Sequence, residues 1–110
     1  MSIDDDVVLL ERVPTLRLLG AAALRVLAIG AEQQQFARGS ILFRAGDEAD
    51  AGYVVQEGGF RIHVADGGDQ EVIAERGALI GELALIVPMS RPATAVALEY
   101  SMAIRIPRTL

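Results

Sequence analysis

Apolar residues recur at helical spacing over roughly the first thirty positions and at strand-like spacing after that. Val7, Val8 and Leu10 predict a short helix that Asp4–Asp6 favour at its start and that Pro14 breaks. Leu16–Leu19 read as a short apolar turn. Ala21–Ile29 follow as a second helix, with Leu24, Leu27 and Ala28 on one face and Gly30 as its stop. From Gln33 onward the texture changes to short runs punctuated by glycine. Gln35–Phe36 and Ile41–Phe43 flank the turn Arg38–Gly39–Ser40, and Tyr53–Val55 and Phe60–Val64 are separated by Glu57–Gly58–Gly59. Asp66–Gly67–Gly68–Asp69 is a hairpin signal between two strand-like runs. Thr94–Leu98 and Met102–Ile106 complete the set. Many short strands with regular turns predict a mainly β domain, an antiparallel jelly-roll barrel rather than a parallel sheet. The expected organisation is one domain over 1–110, with a helical part at 1–31 and a β-barrel at 32–107.

Composition narrows the class without naming a function. With 110 residues, 52% hydrophobic and 23% charged, the chain suits a soluble domain with one modest core. The most apolar region, Leu16–Gly30, is interrupted by Arg17 and Arg25, so no membrane span is expected. The first residues lack the basic start of a secretory signal. There is no cysteine, which removes disulfides and thiolate metal sites and makes a cytoplasmic setting the simplest expectation. A net charge of −5 with no basic stripe argues against direct nucleic-acid binding.

The candidate chemistry lies between Gly81 and Ala95, Gly-Glu-Leu-Ala-Leu-Ile-Val-Pro-Met-Ser-Arg-Pro-Ala-Thr-Ala. Glu82 stands at the start of a short helical turn, where free N–H groups attract an anion. Arg91 offers a planar fork of donors that matches two phosphate oxygens. Glu82 can accept from a sugar hydroxyl, and small residues let backbone approach a ligand. Taken singly, Glu82 and Arg91 are ordinary surface residues, and Leu83–Ile86 are ordinary core. The string as a whole resembles the phosphate-binding cassette of the cyclic nucleotide-binding domain family, at the spacing of protein-kinase regulatory subunits.

The resemblance extends over roughly residues 7 to 108. Phe43–Asp50 looks like the family's Gly-Asp-x-x-Asp loop, Tyr53–Gly58 like the strand and glycine after it, and Gly77–Glu82 like the approach to the cassette. Gly46 and Gly58 also make sense as plain corner residues of a small barrel. The resemblance implies a regulatory module that binds cyclic AMP, with cyclic GMP as the second candidate, and relays it to an output domain absent from this chain; a homo-oligomer or an attached output domain is the expected partner. It implies contacts from Gly81, Glu82, Leu83, Ala84, Arg91, Pro92, Ala93 and Thr94, with Thr94 facing the phosphate or sugar. Pro92 departs from the pattern: it donates no N–H, and it lacks the hydroxyl that cyclic GMP-preferring members place there. Ile80 stands where an aromatic residue is common. Family members continue past Ile106–Arg108 into helices, the last of which lids the base, so a lid beginning near Thr109 is expected to be missing and the base side open.

Two rivals come from other classes. A cupin-like metal enzyme would need several histidines and a carboxylate on one ion, whereas His63 is the single histidine. Ser40, Ser90 and Ser101 have no credible histidine–acid partners, so catalysis, a metal and a bound cofactor are not expected. The other rival is an interaction module that keeps the fold but binds no nucleotide.

Overall fold

The computed structural model describes residues 2–64 and 70–108. Three helices come first: α1 (Ile3–Glu11), α2 (Pro14–Arg17) and α3 (Ala21–Gly30). Ser2 caps α1 through a reciprocal pair of hydrogen bonds with Asp5. Pro14 does more than break the first helix. It occupies the first turn of α2, where a missing N–H is harmless.

Ten strands follow among the described residues: β1 (Glu32–Phe36), β2 (Ile41–Phe43), β3 (Glu48–Ala49), β4 (Ala51–Glu57), β5 (Gly59–Val64), β6 (Glu71–Glu75), β7 (Leu79–Ile80), β8 (Met89–Ser90), β9 (Ala93–Ala97) and β10 (Ser101–Pro107). The 3₁₀ turn Glu82–Leu85 sits between β7 and β8. All pairings are antiparallel. One sheet runs β1-β10-β4-β7, a second runs β2-β9-β5-β6, and β3 pairs with β8 alone. The mainly β jelly-roll expectation holds, with one refinement: the sheets stay distinct and do not close into a continuous barrel. The Asp66–Asp69 hairpin signal lies outside the described residues, but the β5–β6 pairing on either side of it is present, with His63 opposite Glu71.

Burial explains why β4 runs apolar from Ala51 to Val55 instead of alternating. Tyr53 and Val55 face the second sheet and join Phe60, Ala95 and Ala103 in one core. Val54 faces the other way and joins Leu10, Leu24, Ile104 and Ile106 in a second core under the helices. A strand covered on both faces needs no polar alternation. Phe60 is fully buried and meets Phe36 edge-to-face at 5.5 Å between centroids. At the β4–β5 corner, Gly58 has φ 75°, and a Cβ there would lie 2.5 Å from the Tyr100 carbonyl oxygen. Its corner role is thus steric as well as conformational.

Candidate functional site

The 3₁₀ turn begins because β7 ends at Ile80 and Gly81 turns left-handed, with φ 76°. The first bond of the turn runs from Ala84 N–H to the Gly81 carbonyl, so the N–H groups of Glu82 and Leu83 precede any acceptor inside it. On the opposite wall, the loop from Arg44 to Asp47 clamps the backbone of Arg91. Arg91 N–H donates to the Asp47 carbonyl at 2.7 Å, and Gly46 N–H donates to the Arg91 carbonyl at 2.8 Å. Beside Arg91 lies a cavity of about 320 Å³, lined among others by Phe43, Ile62, Ile80 and Met89.

Arg91 is the dominant group in it. The residue is 5% exposed, and its Nη2 donates to the Ala51 carbonyl at 2.7 Å. That carbonyl lies beyond the end of the β4–β7 ladder, whose last pair is Tyr53 with Ile80, so the arginine supplies a donor that no strand does. The guanidinium carbon stands 4.2 Å over the Phe43 ring and 5.7 Å from that of Tyr53. Burial lowers the guanidinium pKa from its ordinary value, opposed by Tyr53 and Asp50. Among the described residues no carboxylate forms an ion pair with Arg91. A Cβ on Gly81 would collide with its Nη1, so the glycine is where the arginine head lies.

The expected site residues divide. Gly81, Glu82, Leu83, Ala84, Arg91, Pro92 and Ala93 all line the cavity. Glu82 is exposed, and its Oε1 accepts from the Thr15 hydroxyl on α2. Pro92 is exposed at the rim. Thr94 stands apart from these: it does not line the cavity, and its Oγ1 accepts from Ala45 N–H at 2.9 Å. In β9, Ala93, Ala95 and Ala97 are buried inward, which leaves Thr94 on the other face. Its work here is to hold the clamp loop. Sequence reasoning also missed Phe43, Ala51 and Tyr53 as partners of Arg91. A cation–π signal was available in principle, but no local spacing points to aromatics about forty residues upstream. Ile80, where an aromatic residue is common in the family, is 4% exposed in the inter-sheet core and lines the cavity.

The far end of the turn is tied separately. Arg108 Nη1 lies within 3.0–3.3 Å of the carbonyls of Ala49, Ala84 and Val87. Leu85 packs against the helical core. A second cleft of about 220 Å³ lies here, lined by Thr15, Leu16, Leu19, Leu27, Leu85 and Ile106 among others. No described helix is long and apolar enough to cross a membrane, and no described group of His, Asp and Glu could hold a metal ion.

An apolar cavity with a buried guanidinium at one end and free turn N–H groups beside it is built to receive an anion on an apolar body. The comparisons agree with that geometry. The family model for the cyclic nucleotide-binding domain matches residues 33–109. The chain is similar to a cyclic nucleotide-binding-like protein from Brucella abortus, with 35% identity and TM-score 0.81 over 96% of this chain and 92% of that one. It is similar to the regulatory domain of Toxoplasma gondii PKA solved with cAMP, at 26% identity and TM-score 0.86, over 97% of this chain and 42% of that one. It is also 34% identical over 82 residues to lysophospholipase nte1 of Emericella nidulans, which covers 72% of this chain but 5% of that protein. By fold, by cavity and by these likenesses, the chain belongs to the cyclic nucleotide-binding domain family.

Proposed function

We propose that this chain is a non-catalytic regulatory module of the cytoplasm that binds cyclic AMP in the cavity between Gly81–Ala84 and Arg91–Ala93 and passes its occupancy to an output domain. The observation that carries the reading is Arg91, a cation 5% exposed in an apolar cavity with no carboxylate paired to it among the described residues. Taking an unpaired charge out of water is costly, and a phosphate would supply the missing counter-charge. The Toxoplasma regulatory domain, solved with cAMP, supports the choice of ligand class by similarity. The likeness to a lysophospholipase spans 5% of that protein, so it supports a shared module and not a shared activity.

In this reading Arg91 meets the cyclic phosphate, the N–H groups of Glu82 and Leu83 assist, and the Glu82 carboxylate takes the ribose 2′-hydroxyl. Ile62, Leu83 and Met89 give the base an apolar surround. A second reading, an interaction module that binds no nucleotide, draws on the self-satisfied contacts Arg91–Ala51 and Glu82–Thr15.

Thermal denaturation with and without nucleotide separates the two. A ligand that binds only the folded chain adds about 2.7 kcal/mol at a hundredfold excess over its Kd. Stabilisation by cyclic AMP that disappears in Arg91→Ala supports the proposal. No shift with either cyclic nucleotide at millimolar concentration sinks it and leaves the interaction module.

A further inference from the structure

Glu82 is the acid assigned above to a ribose hydroxyl, yet an alcohol already occupies it. The Thr15 hydroxyl, sixty-seven positions away in sequence, donates to its Oε1. Thr15 is the second residue of α2 and lines the cleft on the helical side, not the nucleotide cavity. No described residue before Phe43 lines that cavity. A carboxylate that has reached Thr15 has therefore turned toward the helices. Arg91 runs the other way, beneath Gly81 to the Ala51 carbonyl. To a carboxylate, threonine and ribose offer the same bond, an O–H donor.

We infer that Thr15 competes with the 2′-hydroxyl of the ligand for Glu82, so that it sets the affinity of the site and is released when the site fills. This rests on the nucleotide reading above. Among the described residues, the 3₁₀ turn is tied to the helical side by Leu85, packed against the helical core, and by Glu82 on Thr15. The apolar one has no rival in the ligand and stays. The polar one is exchanged, and α2 loses its tie to the cassette as the nucleotide gains one.

The test is calorimetric titration of the parent chain, Thr15→Val and Thr15→Ser with cyclic AMP and its 2′-deoxy analogue. Thr15 is exposed, and valine keeps its shape without the hydroxyl, so folding is expected to survive. Removing the competitor tightens cyclic AMP by about three- to tenfold, the weight of one exposed hydrogen bond. The 2′-deoxy analogue, which does not call on Glu82, binds Thr15→Val and the parent alike. Thr15→Ser keeps the donor and matches the parent. In hydrogen exchange, cyclic AMP speeds the amides of residues 15–19 in the parent and leaves them unchanged in Thr15→Val. If Thr15→Val binds cyclic AMP no more tightly than the parent does, the competition is wrong while the nucleotide reading stands. If the parent binds no cyclic nucleotide, both fall.

Discussion

Gly81→Ala isolates the relation between the turn and the arginine. Two penalties follow from the geometry. With φ at 76°, an alanine pays about 1–2 kcal/mol for the left-handed backbone. Its Cβ would also land on Arg91 Nη1 and push the guanidinium off the Ala51 carbonyl. A hydrogen bond from a charged donor is worth about 1.5–3 kcal/mol, so the total is about 2.5–5 kcal/mol. Gly39→Ala is the control: Gly39 has φ 84° and nothing within 4 Å of an added Cβ, so it carries the backbone penalty alone. For a domain of this size each kcal/mol moves Tm by about 4–8 °C. Gly81→Ala is therefore expected to melt about 6–24 °C below Gly39→Ala by calorimetry. In an Arg91→Ala background the difference should vanish, because nothing is left to displace. Equal losses for the two alanine variants in the parent background would refute the claim that the guanidinium lies against Gly81.

Further outcomes follow from the same contacts. Arg91→Ala should weaken cyclic AMP by about thirty- to several-thousandfold, the usual 2–5 kcal/mol for breaking a buried charge contact, and Arg91→Lys should restore little of it; titration of both checks this. Cyclic AMP should bind ahead of cyclic GMP, since Pro92 brings no hydroxyl to the rim; competition binding with cyclic GMP ahead would reverse that assignment. Ser101→Ala should cost about 1–3 kcal/mol in urea unfolding, because the buried Ser101 Oγ accepts from Gly59 N–H at 3.0 Å and alanine leaves that donor orphaned. Asp6 carries a pKa raised by burial, despite the hydrogen bond from Gln56 that pulls it down. The folded chain then holds this proton more tightly than the unfolded one. Its contribution to stability is complete below 3.8 and is lost as pH rises through the folded pKa. Asp6→Asn keeps an acceptor for Gln56 and should flatten that fall, with a gain at pH 7; parallel pH–stability curves for parent and variant would remove the argument.

What the residues revealed in advance follows the range of the interactions involved. Helical spacing located α3 to within one residue, because Leu24 and Ala28 repeat at the helical period, although the helix takes in Gly30 and is capped at Ala31 rather than by a left-handed glycine. Pro14 was legible as a break but not as the opening residue of α2, since the same missing N–H serves both ends of a helix. Phe36 and Ile41 sit either side of one turn, yet β1 pairs with β10 and β2 with β9. Nothing local encodes that division; it is set by which face each strand must bury. The cassette was readable because its parts are contiguous. The Arg91–Phe43 and Glu82–Thr15 contacts were not, because each joins segments more than forty positions apart. Thr94 follows Arg91 closely in the string, but the period-two alternation of β9 sets it on the face opposite Ala93 and Ala95, where its hydroxyl holds Ala45 N–H.

Arg108 has a mechanical consequence. One guanidinium nitrogen gathers carbonyls from β3, from the 3₁₀ turn and from the loop after it, while its backbone N–H holds the Asp50 carbonyl at 2.8 Å. It sits just past the last strand, at the outlet of the fold. A pull or a twist applied there is carried at once to Ala84, which lines the cavity, as well as to the carbonyls of Ala49, Asp50 and Val87. The residue works as a tie-rod: the wall of the pocket and the far end of β10 move as one piece, or the rod must break.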